Sequence, residues 1–159
     1  MLNNDILRRI RYVFDFEDAI MIKIFGLANL EVTRAQISNW MKKEEDEEYQ
    51  AINDKTFATF LNGLINLKRG KRDGKQPEPE KRLTNNIILL KLKIALNLKS
   101  DDILDILSIH DIRISHHELS AFFRKKGHKH FRECKDQILR NFLKGLQLKY
   151  RPKSPYKQQ

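Results

Sequence analysis

The chain contains itself twice. Residues in the first half match residues 82 positions later without a gap (Asn3 to Asn85 sets the offset). Asn3-Asn4-Asp5-Ile6-Leu7 returns as Asn85-Asn86-Ile87-Ile88-Leu89, and Phe60-Leu61-Asn62-Gly63-Leu64 returns as Phe142-Leu143-Lys144-Gly145-Leu146. Between these anchors Ile24 meets Ile106, Ser38 meets Ser120, Lys43 meets Lys125 and Asp54 meets Asp136. A unit of about 68 residues therefore has to fold, pack and be used twice.

Each unit reads as four helices. The first carries Ile6, Ile10, Val13 and Phe14, repeated as Ile88, Leu92, Ala95 and Leu96, at the spacing of one helical face. Asn3 or Asn4, and Asn85 or Asn86, are its expected caps. The second carries Met21, Ile24, Phe25 and Ala28, then Ile103, Ile106, Leu107 and His110, with Ser100 as a cap. The third opens on Thr33-Arg34-Ala35-Gln36 and Ser115-His116-His117-Glu118, both capping boxes. Its apolar stripe is Ile37, Trp40, Met41 and then Leu119, Phe122, Phe123. The fourth begins near Asp54 and Asp136 as caps and buries Phe57, Phe60, Leu61, Leu64, or Leu139, Phe142, Leu143, Leu146. Gly63 and Gly145 interrupt it, each at a cost of about 1 kcal/mol against alanine, which points to close approach of another backbone. No stretch alternates with period two, so no strand is expected.

The expectation is an all-α fold: residues 1–67 and 83–149 as two helical repeats packed as a pseudo-twofold pair. Residues 68–82 read as a linker containing Gly70, Gly74, Pro77 and Pro79, and residues 150–159 as a basic flexible tail. No run reaches the roughly 18 apolar residues of a membrane span. The opening residues lack the pattern of a signal peptide and the lone Cys134 allows no internal disulfide, so a cytoplasmic protein is expected.

Charge separates the two copies. The net charge is +10. Residues 1–75 hold 13 Lys/Arg against 12 Asp/Glu, and residues 76–159 hold 18 against 9. After the third helix, copy one continues Glu44-Glu45-Asp46-Glu47-Glu48, and copy two continues Lys126-Gly127-His128-Lys129-His130. The first sequence repels a phosphate backbone and the second attracts it.

The second and third helices, joined by Asn29-Leu30-Glu31-Val32 or Asp111-Ile112-Arg113-Ile114, have helix-turn-helix dimensions, although neither turn has glycine. The outward face of the third helix is expected to be Ala35, Ser38, Asn39 and Lys42, or His117, Ser120, Ala121 and Arg124. Nucleic-acid contact, with DNA or RNA, is thus expected from His117, Ser120, Arg124, Lys125, Lys126, Lys129 and Arg132. Phe131 lies among them, but its counterpart Tyr49 sits in acidic surroundings, which favours packing over base stacking. The alternative is a protein-interaction or self-assembly module in which the acidic loop meets the basic one.

No phosphate-binding glycine loop, nucleophile elbow or paired-acid motif occurs, so neither an enzyme nor a cofactor is expected. His116-His117-Glu118 lacks the spacing of a zinc protease. His128, His130 and Cys134 offer no fourth ligand, and no metal is expected. Cys134 is replaced by Ile52 in the other copy and reads as a small core residue.

Asn3 to Tyr12, Phe60 to Ile65, His117 to Lys125 and Asn141 to Leu146 carry strings that resemble the YehS-like family, bacterial proteins with a duplicated domain of unknown function. The resemblance implies a bacterial cytosolic protein of two helical repeats and supplies neither reaction nor ligand.

Overall fold

The computed structural model describes residues 1–152. Those residues form eight α-helices and no strand. Copy one holds α1 (Asn3–Phe14), α2 (Asp18–Leu27), α3 (Arg34–Met41) and α4 (Asp54–Arg69). Copy two holds α5 (Asn85–Ala95), α6 (Ser100–Ser108), α7 (His116–Phe122) and α8 (Asp136–Tyr150). The fold is all-α and a tandem duplication, helix for helix.

The apolar stripes meet in one continuous core. Phe57, Phe60, Leu61 and Leu64 of α4 are buried, as are Leu139, Phe142, Leu143 and Leu146 of α8. Trp40 and its counterpart Phe122 fill equivalent buried sites. The repeated glycines have the steric cause expected of them. A Cβ on Gly145 would lie 2.5 Å from the carbonyl oxygen of Ile106, and one on Gly63 would overlap that of Ile24. Thus α4 crosses the backbone of α2, and α8 that of α6, at distances that only glycine permits.

The copies embrace each other reciprocally. α4 packs on α5, and α8 packs on α1. Asp54 Oδ2 accepts the backbone N–H of Leu83 at 2.8 Å, while Asp136 Oδ2 takes the Met1 ammonium at 3.1 Å. Both members of the second pair are the counterparts of those of the first. An exchange of this kind is what a pseudo-twofold axis between the copies produces. Beside it, Arg9 Nη1 on α1 donates to Gln147 Oε1 on α8 at 3.0 Å.

Several expected caps lie elsewhere. Leu2 precedes α1 without a side-chain cap, and Thr84 caps α5 by accepting from Ile87 N. Ser100, Asp54 and Asp136 are first helical residues; Asn53 caps α4, whereas Lys99 and Lys135 precede α6 and α8. The displaced residues are committed to long-range partners: Asn3 donates to Asp54 at 2.7 Å, and Asn85 to Asp136 at 2.7 Å. Asp102 instead reaches back to accept Lys99 N–H at 2.7 Å.

The connections between α2 and α3 and between α6 and α7 span residues 28–33 and 109–115, longer than the four-residue turns expected. Asn29 (φ 64°) and Asp111 (φ 61°) supply the left-handed backbone for which glycine is the usual choice.

The linker is packed. α4 takes up Lys68 and Arg69, and beyond them Asn66 Nδ2 donates to Gln76 Oε1 at 3.0 Å. Glu80 forms an ion pair with the buried Lys91 at 2.9 Å, and Lys91 also donates to Asn62 at 2.5 Å. The start of the expected flexible tail is ordered by partners. Tyr150 ends α8 with its ring 5.2 Å from that of Phe14, and Arg151 donates to the Tyr12 carbonyl at 2.7 Å. Residues 153–159 of that tail lie outside the described residues. No helix among the described residues is long and apolar enough to cross a membrane.

Candidate nucleic-acid interface

The basic loop begins where α7 ends. The capping box starts that helix: Glu118 N–H donates to Ser115 Oγ at 3.0 Å, and Ser115 N–H to Glu118 Oε1 at 3.3 Å. Leu119 and Phe122 turn inward and fix the helix on the core. The chain then loops through residues 123–135 before α8.

One buried side chain holds this loop. Asn86 Nδ2 donates to the carbonyls of Phe122 (3.0 Å) and Arg132 (2.8 Å), and Asn86 Oδ1 accepts from Cys134 N–H (3.0 Å). Asn4 does the same in copy one, donating to Trp40 (3.0 Å) and Gln50 (2.8 Å) and accepting from Ile52 N–H (3.1 Å). An amide has both donors and an acceptor, so a single Asn can satisfy three backbone groups that the loop would otherwise bury unpaired. Inside the loops the turns also agree. His128 N–H donates to Lys125 O, Phe131 N–H to His128 O and Arg132 N–H to Ala121 O; their counterparts are Asp46 to Lys43, Tyr49 to Asp46 and Gln50 to Asn39. Gly127 (φ 96°) departs from this match, since Glu45 in the same place keeps negative φ.

On this shared backbone the charges differ. His117, Ser120, Arg124, Lys125, Lys126, Lys129 and Arg132 are all exposed. Arg124, Lys125, Lys126 and Lys129 make no ion pair or side-chain hydrogen bond among the described residues, whereas Arg132 is paired with Glu118 at 3.2 Å. Ala121, expected on the outward face, is buried, because the contact face of α7 is wider than the three-residue stripe. In copy one Lys42 is drawn onto Glu48 at 2.7 Å. No ion pair joins the acidic loop to the basic one among the described residues.

Phe131 is half-buried and lines a cleft of about 410 Å³ with Asn86, Lys126, Glu133 and Cys134. Tyr49 is half-buried at the equivalent place. Burial, then the nearby Glu44 and Asp5 carboxylates, raise the Tyr49 phenol above its ordinary value. Cys134 is buried, its thiol pushed up to about 12 by burial first and then by Asp136 and Glu133. It fills the place that Ile52 fills in copy one, and the thiolate needed for reactivity is suppressed.

His117, His128 and His130 form a surface group, with ring centroids 6.2 Å apart for the first and last and 5.6 Å for the last two. His128 Nδ1 already accepts from His130 N–H at 3.0 Å. No three His, Cys, Asp or Glu side chains among the described residues are arranged to hold a metal ion.

The unit boundaries seen here coincide with those of a family model. The model described as Protein of unknown function (DUF1456) matches residues 3–70 and again residues 85–151. The chain belongs to the DUF1456 family. Each DUF1456 match opens with the first helix of a copy and closes at the end of its fourth. The Uncharacterized protein YehS of Escherichia coli (strain K12) is 48% identical over 147 residues, which cover 92% of this chain and 94% of that protein. No solved structure matches the chain.

Proposed function

We propose that this DUF1456 protein is a non-catalytic, cytoplasmic nucleic-acid-binding protein that engages DNA or RNA through the loop and helix face of copy two. One observation carries the reading. Two loops with the same internal hydrogen bonds and the same asparagine clamp differ in sign of charge, and the basic one leaves Arg124, Lys125, Lys126 and Lys129 exposed and without an ion-pair partner among the described residues. A fold needs no such contrast, since either sequence closes the loop. Four exposed cations on one short segment supply phosphate contacts, and Ser120 and His117 on α7 supply hydrogen-bonding groups for base edges.

A second reading uses the same observation: the acidic loop of one molecule docks on the basic loop of another and closes an assembly. Reversing Lys126 and Lys129 to Glu separates the two. The nucleic-acid reading expects affinity for labelled DNA or RNA to fall linearly with salt on a log–log plot, and the slope to drop by about 0.7–0.9 for each phosphate contact removed. The Lys42→Glu variant should change binding less. Unchanged oligomeric mass by light scattering, with binding lost, supports the nucleic-acid reading. No binding at low salt, with a changed mass, would transfer the function to assembly.

A further inference from the structure

We propose a second site, separate from the basic loop: the cleft between the end of α4, α5 and the linker binds a small phosphorylated ligand of the mononucleotide class. The cleft has a volume of about 510 Å³, within the size range of small-molecule sites. Its lining combines Arg69, Arg72 and Lys75 with Ile65, Ile94 and Pro77. It exists where the copies join, because Ile65 comes from α4, Ile94 from α5 and most of the rest from the linker.

The pseudo-symmetry shows that Arg69 lacks what its counterpart has. Arg151 lies 4.0 Å over the Tyr12 ring, donates to the Tyr12 carbonyl and stands 3.4 Å from Asp15. By the 82-residue offset Arg69 corresponds to Arg151, Ile94 stands where Tyr12 does, and Asn97 stands where Asp15 does; Arg69 and Ile94 line the same cleft. Ring and carboxylate are both gone. Arg69, Arg72 and Lys75 make no ion pair or side-chain hydrogen bond among the described residues, and Ile94 is 42% exposed.

The backbone that carries the cations is fixed. Gly70 (φ 88°) turns the chain after α4, Gln76 Oε1 accepts from Asn66, and Gln76 Nε2 donates to the Arg72 carbonyl at 2.9 Å. Fixing the linker before binding lowers the ordering cost of capturing a ligand. The three positive side chains face one lining carboxylate, Asp73, and the helix end, which carries about −0.5 of a charge. The excess is positive. Guanidinium groups match phosphate oxygens in pairs, and a phosphate monoester carries close to two negative charges at neutral pH. Ile65, Ile94 and Pro77 add an apolar wall that a bare anion would leave unused and a planar base would cover.

The test uses the full chain with labelled isoleucine methyls. Adenosine 5′-monophosphate should saturate and shift the Ile65 and Ile94 methyl signals, with adenosine and inorganic phosphate each binding more weakly. Arg72→Glu with Lys75→Glu, both on exposed positions, should weaken that binding by roughly tenfold or more while helicity stays unchanged. Reversal of Lys126 and Lys129 should leave it intact, which keeps this result independent of the loop. Unmoved methyl signals, or equal binding by the double variant, would overturn the site. Inorganic phosphate matching the nucleotide would overturn its class. So would a short oligodeoxythymidylate shifting Ile94 where the mononucleotide does not, since the phosphate would then belong to a polymer.

Discussion

Residues 43–50 and 125–132 follow matching backbone paths, apart from Gly127, with opposite charge. In each, three turn hydrogen bonds and one buried asparagine set the path, and none of those bonds uses a charged side chain. The loop side chains that differ most, Glu44 to Glu48 against Lys126 to His130, are those that point to solvent. The comparison teaches that path and charge are separable here. The repeated backbone bonds and asparagine hold the loop, helped at one position by non-repeating side chains (Asp46 accepts Glu48 N–H at 2.9 Å, His128 accepts His130 N–H at 3.0 Å), and the other residues that do not repeat decide what approaches it.

The strongest way to break that comparison is to ask whether the two cores are really alike. Phe60→Ala and Phe142→Ala remove counterpart side chains that are fully buried, and each should cost about 3–5 kcal/mol in chemical denaturation. A large loss in one copy with little change in the other would show that one copy carries the stability alone.

The clamp comes next. Asn4→Ala and Asn86→Ala each orphan two carbonyls and one N–H of a loop, for an expected loss of about 1–3 kcal/mol. Amide exchange should rise at Ile52 in the first variant and at Cys134 in the second. Faster exchange in the wrong loop would break the correspondence.

The smallest effect sharpens the contrast between the two exchanged carboxylates. The Asn85 amide, followed by the Met1 ammonium, holds the exposed Asp136 carboxyl below the usual range. Its contribution to stability is therefore present above the unfolded carboxylate value, near 3.9, and is lost as pH falls through the lower folded value. The gap in urea midpoint between the wild type and Asp136→Asn should be visible at pH 7 and should close below that range. A gap that persists in acid would mean the hydrogen-bond geometry, not the charge, matters at this position.

Much of the fold was legible because its signals are local or repeated. The capping boxes formed as written, with Gln36 N–H on Thr33 Oγ1 at 3.1 Å and Thr33 N–H on Gln36 Oε1 at 2.8 Å. Gly63 and Gly145 were readable because a costly residue recurred at one position. Of the cap candidates Asn3 or Asn4, and Asn85 or Asn86, none caps its helix, since an asparagine at a helix start has the same local signature whether it bonds the next turn or, as Asn4 and Asn86 do, a loop 46 residues away. The clue was the doubled Asn-Asn in both copies, one more than a cap requires. For the candidate interface, exposure followed from charge and periodicity. The pairing of Arg132 with Glu118, 14 residues earlier, did not, and neither did the burial of Ala121.

The reciprocal carboxylate contacts at Asp54 and Asp136 have a consequence for variation. If two identical chains made this embrace, any change in one loop would appear in its mate, and a molecule with one acidic and one basic loop would be unattainable. Tying both copies into a single chain, with Glu80 of the connection anchored on Lys91, removes that restriction. Each loop then answers to its own mutations, and a symmetric scaffold can present an asymmetric surface.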